Sequence, residues 1–207
     1  MDFYYGPVSG NSARAAFALY EVGAAFVPHP LDTRAGQNRA APYLSVNPMG
    51  KVPALVDAGF QLWESNAINL YLAEKHPQAG LVPASDQGRA SMLRWLFFQA
   101  AHVTPACVQL FRNTSARVQR FYGLAGDPQA AEAGRKELLR YLPVLEDALL
   151  GREFLEGGFS LAEIAYAPHL WLVREAGLDL TPWPSLDAWL TRTLARPAWQ
   201  KAAALIF

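Results

Sequence analysis

The sequence predicts two domains of different classes: an α/β domain over residues 1–77 and an all-helical domain over residues 86–207, joined by a linker over residues 78–85. Three observations support this division. Strand-like and helix-like patterns alternate through the first part of the chain, which is typical of sheets built with connecting helices. The linker contains a glycine and a proline, which interrupt regular structure. Beyond Ser85 only helical periodicity is found.

The composition limits the classes of function. The chain has 207 residues, more than one typical domain and fewer than two large ones. Lysine plus arginine and aspartate plus glutamate number 18 each, and the sequence pI is about 6.9. This balance argues against a nucleic acid or an anionic membrane as partner, and it favours a small ligand.

The single cysteine, Cys107, excludes internal disulfides, CxxC redox pairs and thiolate zinc sites of the usual spacing. The four histidines form no HExxH or comparable pair, so no metal is expected. The N-terminus lacks a basic region followed by an apolar run, and no apolar stretch reaches the roughly 18 residues of a membrane span. We therefore expect a soluble protein of the reducing cytoplasm, with no membrane contact.

The first domain begins with a β-α-β pattern. Residues 2–5 form an aromatic-rich strand that ends at Gly6-Pro7. Apolar spacing predicts a helix over residues 14–22, closed by Gly23, and a second strand over residues 24–28. Residues 31–48 form a polar connection that contains a helix.

A hairpin and a helix complete the first domain. Two short strands, over residues 54–56 and 60–63, flank a turn that contains Gly59. A helix then runs from Ser65 to about Lys75, with Ser65 as its N-cap. The resulting order, β-α-β-α-β-β-α, matches a thioredoxin-like fold.

The second domain is predicted as a helical bundle. A long apolar helix covers residues 89–112, with a kink at Pro105. Ser160 and Glu163 have the spacing of a capping box, which starts another helix. Further helices are predicted over residues 127–150, 184–194 and 197–205.

The stretch from Asn47 to Ile68 contains the binding candidates. Pro53 cannot donate a ladder hydrogen bond. The main-chain N–H and C=O of Val52 before it are therefore expected to remain unpaired within the protein and to bind a ligand lying alongside. Ser65 and the helix start favour a carboxylate, and Glu64 suits an ammonium group. These features suit a small zwitterionic peptide. The alternative is that Glu64-Ser65 only caps a helix and Val52-Pro53 only ends a strand.

In combination these residues resemble a known family. Pro53, preceded by Gly-Lys-Val and followed eleven residues later by Glu64-Ser65, is similar to the glutathione-binding half of cytosolic glutathione S-transferases. The resemblance implies that the Val52-Pro53 bond is cis and that Val52 makes main-chain bonds to the cysteinyl part of glutathione. It also implies that Glu64 and Ser65 hold the γ-glutamyl end.

The first loop contains the catalytic candidates. Small polar residues there precede a helix, whose N-terminus suits a developing anion. Ser9 resembles the catalytic serine of serine-type relatives, such as the phi and zeta classes. Asn11 resembles the asparagine of bacterial relatives, and the pair predicts a bacterial type of the family. Either side chain is expected to lower the thiol pKa of glutathione by roughly 2 units from about 8.5. Ser12 is most simply a helix cap, and Tyr4 and Tyr5 are the weaker candidates.

The resemblance extends to the rest of the ligand site. Lys51, Gln37 and Asn38, together with Arg34 and Arg39, are suited to the glycyl carboxylate of glutathione, although solvated surface is an equal alternative for each. The resemblance also implies an electrophile pocket, whose candidate residues are Val8, Phe98, His102 and Cys107. Cys107, in the middle of an apolar helix, is more often a core residue.

The sequence thus predicts a glutathione transferase that ionises the glutathione thiol and conjugates it to a small hydrophobic electrophile, assembled as a homodimer. One alternative is glutathione-dependent reduction of peroxides or disulfides, motivated by Asn11 and the lack of a catalytic cysteine. Another is a non-catalytic protein of the same fold that binds glutathione.

Overall fold

The computed structural model describes residues 1–207, and the chain divides into two compact units. The first unit comprises Met1–Ala79 and Pro197–Phe207, and the second comprises Gly80–Arg196. The expectation that residues 86–207 form one domain is therefore wrong for the last helix, which belongs with the first unit.

The first unit is built on a sheet of four strands: β1 (Asp2–Tyr5), β2 (Val27–Pro30), β3 (Ala54–Asp57) and β4 (Phe60–Trp63). Their order across the sheet is β2-β1-β3-β4. β1 pairs in parallel with β2 and antiparallel with β3, while β3 and β4 form the predicted hairpin. This sheet confirms the thioredoxin-like prediction.

The helices of the first unit are α1 (Gly10–Glu21), α2 (Ala41–Leu44) and α3 (Ser65–Lys75). A 3-10 turn at Gln37–Arg39 precedes α2, and another at Pro77–Ala79 follows α3. β2 begins later than predicted because the N–H of Ala24 closes the end of α1 by donating to the Leu19 carbonyl at 3.0 Å. The chain must leave this helix cap before it can join the sheet.

The last helix, α10 (Pro197–Ile206), lies on α1. Its Trp199 is 4% exposed and meets Phe17 of α1 edge-on, with ring centroids 5.7 Å apart. The side chain of Ile206 is also buried. Burial of these apolar groups against α1 explains why α10 joins the first unit.

The second unit contains six helices: α4 (Asp86–Phe98), α5 (Thr104–Thr114), α6 (Ala116–Tyr122), α7 (Pro128–Leu149), α8 (Leu161–Glu175) and α9 (Pro184–Leu194). α4 and α5 are joined by one π-helical segment, Gln99–Val103, which ends two residues before Pro105. Proline has no N–H to donate to the helix, and the extra residue of a π segment lets the helix continue despite this missing hydrogen bond. The sequence did not predict α6, a short helix capped by Ser115 and closed by Gly123.

The predicted capping box at the start of α8 is present. The Glu163 carboxylate accepts hydrogen bonds from the N–H groups of Leu155 and Ser160 and from the Ser160 hydroxyl, each at 2.8 Å. Burial raises the pKa of Glu163 despite these hydrogen bonds. This carboxyl group therefore joins the start of α8 to the loop before it, a role in folding.

Candidate active site

The first loop connects β1 to α1, and Ser9 lies at the N-cap of that helix. The Ser9 Oγ accepts a hydrogen bond from the Ser12 N–H at 3.2 Å. Ser12 was predicted as the cap, which is wrong. Its side chain is fully buried in the first turn, where its Oγ accepts from the N–H of Gly6 at 3.2 Å.

Ser9 and Asn11 both keep hydrogen-bonding capacity for a ligand. Each side chain is partly exposed, and neither the Ser9 hydroxyl hydrogen nor the Asn11 amide has a protein partner. Ser9 caps a 12-residue helix and Asn11 lies in its first turn, where unpaired N–H groups and the helix dipole favour negative charge. The site can therefore stabilise an anion.

Val52 provides the second part of the site. Its bond to Pro53 is cis, as the resemblance implied. The carbonyl of Lys51 is occupied, since it accepts from the Tyr43 hydroxyl at 2.5 Å and from the Asn47 amide at 2.6 Å. Strand β3 begins only at Ala54, so the N–H and C=O of Val52 have no partner within the protein. They are available to an extended peptide.

Gly6 brings the first loop and Val52 together. A Cβ atom built on Gly6 would lie 2.8 Å from Cγ2 of Val52 and 3.2 Å from Cγ2 of Thr33. A side chain at position 6 would therefore overlap the residue whose main chain is unpaired. The absence of a Cβ at Gly6 allows Val52 to approach the loop that carries Ser9.

Glu64 and Ser65 form the third part. The sequence predicted Ser65 as the N-cap of α3, which is wrong, because Ser65 is the first helical residue and Glu64 occupies the cap position. Glu64 is exposed and has a positive φ of 70°. Such a conformation is costly for a residue with a side chain, and strained residues of this kind cluster at active sites and ligand contacts.

Arg14 was not predicted as a site residue. It is only 3% exposed, and its Nη1 donates to the Ser65 Oγ at 2.8 Å. A hydroxyl that accepts from a cation still has its own hydrogen to donate. The sequence does place an arginine within the apolar pattern of α1. Because long charged side chains are rarely buried without a partner, this position could have indicated that Arg14 binds a polar group.

The candidates for the glycyl carboxylate differ in what they already bind. Gln37 Oε1 accepts from the Asp32 N–H at 2.7 Å, and Asn38 Nδ2 donates to the Gly50 carbonyl at 2.5 Å. Arg34 is paired with Asp32. Lys51 is exposed and has no ion pair.

The structure gives the two first-strand tyrosines packing contacts. Tyr5 is buried and stacks on Phe3, with ring centroids 5.8 Å apart, and burial raises the pKa of its phenol. Tyr4 stacks on His29, with ring centroids 4.7 Å apart. A raised pKa disfavours the phenolate form, and both rings belong to the sheet rather than to the first loop.

The predicted pocket residues differ in exposure. In the second unit, Phe98 contacts His102 with ring centroids 5.5 Å apart, and both rings contact Tyr141. Cys107 has no exposed surface, so it cannot line a pocket and belongs to the helical core. Val8, in the first unit, is 9% exposed.

Two general features bear on other chemistries. No group of three or more His, Cys, Asp or Glu side chains is close enough to bind a metal ion. None of the helices combines the length and the apolar character that crossing a membrane requires.

Comparison with known families gives two matches. Residues 1–74 match the family model described as glutathione S-transferase, N-terminal domain. Residues 128–192 match the model described as glutathione S-transferase, C-terminal domain.

Individual relatives align along nearly the whole chain. The chain is 31% identical over 206 residues to glutathione S-transferase F10 of Arabidopsis thaliana, covering 97% of this chain and 95% of the relative. It is 34% identical over 212 residues to glutathione S-transferase 3 of Zea mays, covering 100% and 94%. A solved structure of glutathione S-transferase-I with the ligand lactoylglutathione is 27% identical with a TM-score of 0.88, covering 99% and 98%. Both sequence relatives are from plants, so the expected bacterial type has no support.

Proposed function

The chain belongs to the glutathione S-transferase family, and from that premise we propose that its first unit binds glutathione along Val52 and stabilises the thiolate with Ser9. The observation that carries this proposal is Ser9 at the N-cap of α1, with its hydroxyl hydrogen unused, in the loop that packs against Val52 through Gly6. The enzyme then joins glutathione, through its sulfur, to a small hydrophobic electrophile.

Ser9 supplies the main electrostatic effect. Bound glutathione contributes a thiol that loses its proton to solvent, and the sulfur forms a bond to the electrophile while a leaving group departs with its electron pair. The Ser9 hydroxyl donates to the sulfur, and the N–H groups of α1 add a positive dipole end. A hydrogen bond to a charged group contributes about 1.5–3 kcal/mol, enough to lower a thiol pKa by about 1–2 units. Asn11 is the second candidate donor.

Arg14, Ser65 and Glu64 are suited to the γ-glutamyl end of glutathione. Arg14 donates to the Ser65 hydroxyl, which leaves that hydroxyl to donate to the ligand carboxylate. The buried guanidinium places positive charge behind Ser65 and strengthens its attraction for an anion. Glu64, exposed beside Ser65, is then suited to the ligand ammonium group.

Lys51 is the primary candidate for the glycyl carboxylate, because it is exposed next to Val52 and lacks an ion pair. Arg39 supports it, since a Cβ on Gly50 would lie 3.8 Å from the Arg39 Cγ. Gln37 keeps its amide N–H₂ group available. Asn38 acts indirectly, by fixing Gly50 through its hydrogen bond to that carbonyl.

The electrophile is assigned only by class. Phe98 and His102, with Tyr141, present an aromatic surface in the second unit, which suits a small hydrophobic compound. Cys107 is no longer a candidate, because its side chain is fully buried.

We also propose a homodimer in the cytoplasm. Large apolar side chains are exposed in both units, including Phe60 at 53%, Trp63 at 37% and Phe97 at 72%. Aromatic residues are enriched in protein–protein interfaces relative to the rest of the surface. Light scattering should give twice the chain mass, and a monomer would refute the dimer. The single cysteine suits a reducing compartment.

Steady-state kinetics test the proposed function. The protein should conjugate glutathione to chlorodinitrobenzene, with release of chloride, and Ser9→Ala should lower kcat/KM by about tenfold or more. Ser85→Ala is the matched control, because Ser85 caps α4 as Ser9 caps α1. This control should lose stability but not activity.

Parallel assays separate the alternatives. Turnover of peroxide without conjugation would favour the reductase function. Glutathione binding without turnover of either substrate would favour the non-catalytic protein.

A further inference from the structure

Val8, directly before Ser9, has an unusual backbone conformation. Its φ is +57°, in the left-handed region that β-branched residues avoid. A residue in this region persists only where its surroundings hold it. The conformation of Val8 sets the direction in which the chain enters Ser9, so whatever holds Val8 also orients the Ser9 hydroxyl.

The contact that holds Val8 comes from the other end of the first unit. The Val8 N–H donates to the main-chain carbonyl of Ile206 at 2.9 Å. Ile206 ends α10, where carbonyl groups have no partner within the helix. The hydrogen bond therefore satisfies two main-chain groups that otherwise lack partners.

α10 is itself fixed to α1. Trp199 of α10 packs edge-on against Phe17 of α1, and Ile206 is only 2% exposed. α1 carries Ser9 and Asn11 at its N-terminus. The packing of α10 on α1 thus holds the Ile206 carbonyl in place beside the start of α1, where it binds the Val8 N–H.

We propose that the Ile206 carbonyl is a positioning group for thiol ionisation, holding Val8 in the left-handed conformation that directs the Ser9 hydroxyl toward the glutathione sulfur. This inference rests on the proposed role of Ser9. Without the hydrogen bond, Val8 relaxes toward extended φ, and Ser9 rotates away from its position. Glutathione binding at Val52 and Ser65 involves other segments, so affinity should change less than thiol ionisation.

The test compares a chain ending at Ala204 with a variant that keeps all 207 residues and carries Leu205→Ala, Ile206→Ala and Phe207→Ala. Both lose the same side chains beyond Cβ, but only the shortened chain lacks the Ile206 carbonyl. Its new carboxylate ends about 3 Å short of Ile206 along the helix axis, given a rise of about 1.5 Å per residue. The pair therefore separates the hydrogen bond from side-chain packing.

Two readouts are measured. The first is amide hydrogen exchange at Val8 in the protein without glutathione, where the parent and the triple variant should be protected and the shortened chain should not. The second is the pH profile of kcat at saturating glutathione with chlorodinitrobenzene. The shortened chain should titrate about one pKa unit higher than the triple variant, about a tenfold loss of thiolate below that pKa.

A third variant, Val8→Gly, tests the conformation of Val8 itself. Glycine adopts positive φ without the penalty of a β-branched residue, so Val8→Gly should reduce the effect of shortening on the pH profile. Equal profiles for the shortened chain and the triple variant would overturn the inference, as would an unprotected Val8 amide in the parent. If the parent itself shows no thiol titration below about 8.5, the proposed function fails instead, and hydrogen exchange still tests the contact.

Discussion

Substitution of Gly6 by alanine should weaken glutathione binding without removing any group that contacts the ligand. The added Cβ would lie 2.8 Å from Cγ2 of Val52 and 3.2 Å from Cγ2 of Thr33. Carbon atoms in contact are normally about 3.5–4.0 Å apart, so Val52 must move by about 0.7 Å or more. No positive φ is required at Gly6, which leaves this overlap as the main effect of the substitution.

The expected magnitude follows from the hydrogen bonds at Val52. Two main-chain hydrogen bonds to the ligand contribute about 0.5–1.5 kcal/mol each, and a shift of this size weakens both. A loss of about 1 kcal/mol corresponds to an increase of about fivefold in KM for glutathione, with a smaller change in kcat. Overpacking should also lower stability by about 1–3 kcal/mol.

The assay is glutathione-dependent conjugation at fixed electrophile concentration, with urea denaturation to follow stability. Val52→Ala removes Cγ2 but keeps the main chain, so the double variant with Gly6→Ala should recover most of the lost affinity. Gly158→Ala is the control, because no atom lies within 4 Å of a Cβ there. An unchanged KM in Gly6→Ala would refute the position assigned to Val52.

Two further predictions concern stability. The Glu146 carboxylate accepts from the Ser185 and Leu186 N–H groups at the start of α9. Burial, the largest single influence, raises the pKa of Glu146, but these hydrogen bonds outweigh it and the pKa is lowered. Glu146→Ala should therefore cost about 1 kcal/mol near pH 7, and urea denaturation should show this difference disappearing as the pH falls below about 4.3 and through the lowered folded-state value. Glu163→Gln should cost about 1–3 kcal/mol, because its amide N–H₂ would face N–H donors, whereas the exposed Glu132→Gln should change the thermal midpoint little.

The sequence predicted which helices and strands form better than it predicted the residue at which each helix begins. Ser9, Ser12 and Ser65 can each cap a helix, and only the three-dimensional hydrogen bonds distinguish them. The Ser12 Oγ accepts from the N–H of Gly6, so it does not cap the helix. The Ser9 Oγ accepts from the Ser12 N–H and forms the cap instead. At α3, the bond from Arg14 engages Ser65, and Glu64 takes the cap position.

Long-range contacts were the main feature that the sequence could not predict. The sequence spacing that identifies Val52, Pro53, Glu64 and Ser65 is local, whereas Arg14 reaches Ser65 across 51 positions. α10 was predicted as a helix, but its packing on α1 depends on shape rather than on periodicity. Whether Cys107 lines a pocket or belongs to the core depends on its exposure, which the pattern of apolar residues along a helix does not give for each position.

The central claim is that Ser9 stabilises the glutathione thiolate. Its most direct test is the ultraviolet difference absorbance of bound thiolate near 240 nm, titrated against pH for the parent, Ser9→Ala and Asn11→Ala. The parent should show a midpoint about 2 units below the free thiol value of about 8.5, and Ser9→Ala should raise that midpoint by about 1–2 units, more than Asn11→Ala does. A Ser9→Ala midpoint equal to that of the parent would contradict the claim.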